Sequence, residues 1–215
     1  MPLLYNGTRK LPDTFDNEEI ERILHFAISS EKYLKSEWGQ WMKYRDVCLF
    51  ATIYVLGLRP KEACCLRFEN FDLKRTTVKI KGTSNKNRKD RVIPVPKILF
   101  KFYEKYFGFS RLRFWKGSPY VFPSFQNRHI SPKRAEQTFR EKILKPLQLW
   151  NGNNSLYTLR HSRASHILNK QIRDKGSPDL LSIANFLGHS DIRSTKVYLH
   201  TGEEYIEYMR EQVDL

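Results

Sequence analysis

The sequence predicts a mainly α-helical fold with a small antiparallel β-sheet (α+β). Three observations carry that reading. Apolar residues recur at helical spacing through Ile20, Ile23, Leu24 and Ala27. A long apolar stretch from Trp41 to Leu58 reads as a buried helix. Between residues 75 and 95, Thr76–Ile80 and Arg91–Val95 alternate around a polar turn, the pattern of a hairpin or small sheet.

Each element has a local reason. Residues 1–10 lack strong periodicity and read as an arm or linker, ahead of one folded domain over residues 11–200. Asp16 or Asn17 can cap the first helix, with glutamates in its first turn. Gly57-Leu58-Arg59-Pro60 breaks the long apolar helix, and Pro60 restarts a helix through Glu62, Ala63 and Leu66. The turn at residues 84–90 is basic, with Lys86, Arg88 and Lys89, and Arg91 follows it. An aromatic-rich amphipathic helix is expected over 97–107, then a loop with Arg111, Arg113, Phe114, Trp115 and Lys116. Ser131 and Pro132 open a further helix through Ala135, Phe139 and Ile143. Helices are also expected from about Thr158 to Lys170, from Pro178 to Leu187 and from Ser190 to Leu199, with a loop over Asn169–Pro178. Residues 201–215 read as a helical tail carrying Tyr205, Ile206, Tyr208 and Met209.

Composition narrows the function. The 215 residues are 40% hydrophobic and 13% aromatic, which suits a folded core and excludes a disordered basic tail. Lys and Arg number 38 against 23 acidic residues, a net charge of +15 that favours a polyanionic partner. No apolar run approaches the roughly 18 residues that span a bilayer, so nucleic acid is preferred over membrane. The cysteines are Cys48, Cys64 and Cys65, an odd count with two adjacent, against a disulfide framework and without zinc spacing. A reducing compartment is expected: the cytoplasm of a prokaryote, or of a host cell for a viral gene.

The most informative stretch runs from Tyr157 to His200. Tyr157-Thr-Leu-Arg160-His161 opens an apolar-periodic segment, Leu187-Gly188-His189 makes a turn, and Tyr198 follows in Val-Tyr-Leu-His. Arginine presents a planar, permanently charged fork that matches two phosphate oxygens. A tyrosine hydroxyl, with a pKa near about 10, is a poor nucleophile until neighbouring cations stabilise its phenolate. Arginines and a tyrosine in one pattern therefore suit phosphodiester cleavage.

Three segments in order, Gly57–Leu73, Leu159–Leu168 and Leu187–His200, resemble the tyrosine recombinase (phage integrase) family, in particular XerC/XerD-like catalytic domains. The resemblance covers roughly residues 12–200, so residues 11–200 would be the catalytic domain. It implies that Arg59, Arg160 and His189 bind the scissile phosphate and that Tyr198 attacks it, with Tyr205 and Tyr208 as rivals. The family's lysine acid sits at a turn such as 84–90. Counting back from the strand proline selects Lys86, with Lys89 and Lys81 as alternatives. Arg88, Lys89, Arg91, Lys133 and Arg134 are the expected DNA contacts. Glu62 is expected to orient an arginine through a buried ion pair.

The chain departs from the family at Tyr157, where a histidine three residues before the second arginine is usual. Tyr157 can donate to phosphate but cannot act as an imidazole base near neutral pH. His161, one residue past Arg160 and so rotated by roughly 100° on a helix, reads as structural. The family also places a helical core-binding domain ahead of this region, and only about ten residues precede it here, so a short form is expected, natural or truncated. The resemblance implies double-stranded DNA as partner, a tetramer on DNA, no membrane association, and neither metal nor cofactor. Two other readings stay open: a DNA-binding regulator without activity, and a type IB topoisomerase-like enzyme.

Overall fold

The computed structural model describes residues 12–29, 36–82, 90–110, 117–126 and 128–200. The expected N-terminal arm, the 111–116 loop and the C-terminal tail lie outside these residues, as do Lys86, Arg88 and Lys89.

Helix α1 (Asn17–Ser29) starts where two side chains cap each other's backbone. The Glu19 N–H donates to Asp16 Oδ1 at 2.7 Å, and the Asp16 N–H donates to Glu19 Oε2 at 3.0 Å. Ile20, Ile23 and Ala27 bury one face of this helix. Helix α2 (Glu37–Leu56) is buried along most of its length and packs against α1, α4 and α6, so it forms the axis of the core. It stops at Gly57, whose φ of 59° is a left-handed conformation that favours glycine. Arg59 and Pro60 then turn the chain into α3 (Pro60–Cys64).

Strands β1 (Phe71–Asp72), β2 (Thr77–Ile80) and β3 (Arg91–Pro94) pair antiparallel in that order. Val78 faces Ile93 and Ile80 faces Arg91 across β2 and β3. Val78, Ile80 and Ile93 are buried whereas Lys79 and Val92 are exposed, which is the alternation read from the sequence. Strand β1 has only two residues, too few to alternate, and pairing to β2 defines it. Helix α4 (Lys97–Ser110) packs on α2. Helix α5 (Pro132–Phe139) is capped by Ser131, whose Oγ accepts the Arg134 N–H, and runs into a π-helical turn at Arg140–Leu144.

Helix α6 (Leu156–Lys175) corrects the expected loop at Asn169–Pro178. No glycine or proline interrupts it before Gly176, and Ile172 continues the buried stripe of Ala164 and Leu168. Helix α7 (Leu180–Leu187) is capped by Asp179 and closes at Gly188, with φ of 70°. The single helix expected over Ser190–Leu199 is instead a four-residue α8 (Arg193–Lys196) followed by a 3₁₀ turn at Val197–His200. Asp191 accepts the Arg193 N–H at 2.9 Å, which delays the helix start. A large core lies around α2, and a smaller cluster gathers Ala164, Leu168, Ile172, Ile183, Leu187 and Tyr198.

Candidate active site

Glu62 is the centre of the site. Its side chain is fully buried, and the restart of the helix at Pro60 places it one turn after Arg59. The Arg59 N–H donates to Oε2 at 2.9 Å, and the Arg59 guanidinium donates to Oε1 at 3.0 Å. Arg91 reaches in from β3 and donates from both terminal nitrogens, at 2.9 and 2.8 Å. Arg160 lies 3.9 Å from the same carboxylate. Burial alone would push the Glu62 carboxyl up, but Arg91, the Arg59 N–H and Arg160 outweigh it and hold the group below the usual carboxylate range. Three guanidinium groups on one carboxylate leave a surplus of positive charge, which suits an incoming anion.

Arg160 is tied to two helix ends. It donates to Gly57 O and to Leu187 O, both at 2.8 Å, where carbonyls at the ends of α2 and α7 lack helical partners. Its side chain is 3% exposed, and burial with the charge of Arg59 lowers its pKa to about 10, so it stays cationic near neutral pH. Arg59 is the most open of the three, at 19%, and a further nitrogen donates to Gly188 O at 3.2 Å.

Around this cluster lie two histidines and a tyrosine. His189 Nδ1 sits 2.8 Å from Thr195 Oγ1, and its ring stacks on Tyr198 with centroids 6.4 Å apart. Tyr198 is 1% exposed, and its hydroxyl lies 2.8 Å from His161 Nδ1. Burial and the charge of Arg160 lower His161 to about 4. Burial with Arg160 and Arg59 lowers His189 to about 3. Both rings are therefore neutral near pH 7. Burial raises the Tyr198 phenol while Arg160 and Arg59 pull it down, and burial prevails. The two cations act in the expected direction, but the protein around the phenol removes more solvation than their charges restore.

The structure thus brings together Arg59, Arg160, His189 and Tyr198. Tyr157 stands apart at 48% exposure, its ring 6.5 Å from that of His161. Arg91, expected among the DNA-facing cations, is turned inward: its side chain is 10% exposed because Glu62 takes both of its terminal nitrogens. Lys133 and Arg134 lie exposed on the first turn of α5. Lys81, an alternative to Lys86, is held by Glu69 at 2.8 Å beside a cavity of about 370 Å³ that Glu62 also lines. Sequence reasoning missed the bond from His161 to Tyr198. It joins positions 37 apart in the chain, and the apolar stripe of α6 gives no sign of it.

The fold is that of a tyrosine recombinase catalytic domain. The chain belongs to the phage integrase family, whose model matches residues 13–204. It is similar to the tyrosine recombinase XerC of Pseudomonas fluorescens, 29% identical over 93% of this chain and 60% of that protein. XerC of Halalkalibacterium halodurans is 30% identical over 92% of this chain and 61% of that protein. The chain therefore spans about three-fifths of the length of these relatives. Among solved structures, the XerH site-specific recombinase bound to a palindromic difH substrate superposes with a TM-score of 0.75 at 22% identity, covering 96% of this chain and 54% of that one. The XerA recombinase gives 0.71 at 22% identity, covering 95% and 66%. Among the described residues, no helix is long and apolar enough to cross a membrane.

Proposed function

We propose that this chain carries the strand-cleaving and rejoining activity of a site-specific DNA recombinase that works through a 3′-phosphotyrosine. The observation that carries the reading is the packing of Tyr198 against His189, within the field of Arg160 and Arg59. Arg59, Arg160 and His189 hold the non-bridging phosphate oxygens. In the tautomer in which Nδ1 accepts from the Thr195 hydroxyl, the neutral His189 ring carries its proton on Nε2 and donates from there. Tyr157, half exposed on the first turn of α6, adds a donor from its hydroxyl.

Tyr198 Oη attacks phosphorus, the bond to the 5′ oxygen breaks, and that oxygen takes a proton from Lys86. Rejoining is the reverse: the 5′ hydroxyl attacks the phosphotyrosine and Tyr198 leaves. The covalent link conserves the phosphoester, so neither nucleotide nor metal is required. Arg88, Lys89, Lys133 and Arg134 contact the DNA backbone, in keeping with the net charge of +15. The partner is double-stranded DNA, the working form a tetramer, and the compartment the cytoplasm.

Tyr198 is covered in the free chain, so DNA entry has to uncover it. The test is a nicked duplex, incubated with chelator and either wild type or Tyr198→Phe. Duplexes come from a random pool selected for binding to the Tyr198→Phe variant. A protein–DNA adduct on a denaturing gel is expected with wild type alone. Binding without any adduct would favour a DNA-binding regulator.

A further inference from the structure

Cleavage by Tyr198 has to release one proton, and His161 Nδ1 lies against that hydroxyl. The usual histidine position is filled by Tyr157, which is half exposed and cannot accept a proton near neutral pH. We propose that His161 Nδ1 accepts the Tyr198 hydroxyl proton as the tyrosine attacks phosphorus. The inference rests on the reading of Tyr198 as the nucleophile.

The geometry fits a base set against its acid. Nδ1 and Oη are 2.8 Å apart, with the ring centroids at 5.8 Å and the planes inclined by 46°. For Nδ1 to accept, the neutral ring carries its proton on Nε2. The groups acting on the ring come from four places. Arg160 and Tyr157 lie on α6 itself, Tyr198 on the 3₁₀ turn, His189 at the end of α7, and Asp13 on the segment before α1. In the free chain, burial and Arg160 keep the ring neutral and able to accept, while the Asp13 charge favours the protonated form. A phosphate arriving on Arg59 and Arg160 would offset the cation that opposes protonation of His161. As the new P–O bond forms, the phenolic oxygen becomes strongly acidic and the transfer runs downhill. The proton moves from Oη to Nδ1, the Oη lone pair becomes the P–O bond, and the 5′ oxygen leaves with the proton from Lys86.

The experiment measures single-turnover adduct formation against pH on the selected nicked duplexes, with wild type, His161→Gln, Asp13→Asn and Lys86→Ala. Glutamine keeps a hydrogen-bonding side chain but takes no proton. His161→Gln should bind the duplex normally, form adduct about 10²-fold or more slowly, and lose the acid limb of the pH profile. Asp13→Asn should move that limb to lower pH. Replacing the bridging 5′ oxygen by sulfur, which leaves without protonation, should restore Lys86→Ala and not His161→Gln.

A wild-type rate and pH profile in His161→Gln would overturn the proposal. So would a faster rate, which would make the bond a latch on the nucleophile. Should His161→Gln fail to fold, ¹⁵N-histidine NMR of the wild type decides. A protonated Nδ1 on His161 would refute the proposal, and an unprotonated one with Nε2–H supports it. An adduct that survives Tyr198→Phe, or none with wild type, would instead remove the nucleophile reading beneath it.

Discussion

Arg91 on β3 grips Glu62 on α3 with two hydrogen bonds of 2.9 and 2.8 Å, joining the sheet to the helix that Arg59 precedes as N-cap. Glu62 is fully buried and Arg91 is 10% exposed, so removing Glu62 strands the guanidinium groups around it and removing Arg91 takes two of the carboxylate's hydrogen bonds. Glu62→Ala should cost about 3–5 kcal/mol in urea unfolding. Arg91→Ala should lose stability yet leave the salt dependence of DNA binding unchanged. A phosphate contact would instead reduce the log–log salt slope by about 1. A reduced slope with stability intact would restore Arg91 to the DNA-facing set.

Gly188 closes α7 at φ of 70° and offers its carbonyl to Arg59. A Cβ there would come within 2.7 Å of Arg91 Nη1 and 2.9 Å of its Cζ. Gly188→Ala should therefore destabilise the fold by about 1–3 kcal/mol through the strained backbone and a displaced Arg91. Adduct formation should fall further than stability alone explains. An alanine variant with wild-type unfolding and cleavage would contradict the tight packing of Gly188 on Arg91.

The histidines give the fold a pH dependence of known sign. His161 and His189 have pKa values lowered from 6.5 to about 4 and about 3, so the unfolded chain binds protons that the native chain refuses. Stability is full above pH 6.5 and declines as pH falls toward those lower values. Each ring sets a limit of about 1.4 kcal/mol per pH unit, less because both are only part-buried and solvent screens them. Urea unfolding at pH 7 and pH 5 should show the decline, and His161→Gln should flatten it. An unfolding free energy that is level between these pH values would contradict the buried neutral rings.

Punctuation made much of the fold legible. Gly57 and Pro60 marked the end of α2 and the start of α3, and Ser131-Pro132 marked α5. Strand alternation located β2 and β3. Where such signs fail, contacts decide. Strand β1 exists because β2 pairs with it, and α6 runs past Asn169 because Ile172 finds a buried place. The site followed the same division. Arg59, Arg160, His189 and Tyr198 stood out by residue type and order, and the fold gathers them. Arg91 belongs by sequence to a basic turn, but its partner Glu62 lies 29 positions away. His161 looked turned away from Arg160, and that rotation is what carries it to Tyr198.

The most direct test of the account identifies the residue that holds DNA. Trypsin cuts after Lys196 and Arg210, so Tyr198, Tyr205 and Tyr208 share one peptide, and fragment ions have to place the nucleotide within it. The adduct formed by wild type on a nicked duplex should carry its 3′-phosphate on Tyr198 Oη. A nucleotide on Tyr205 or Tyr208, or an adduct that persists in Tyr198→Phe, would contradict the account.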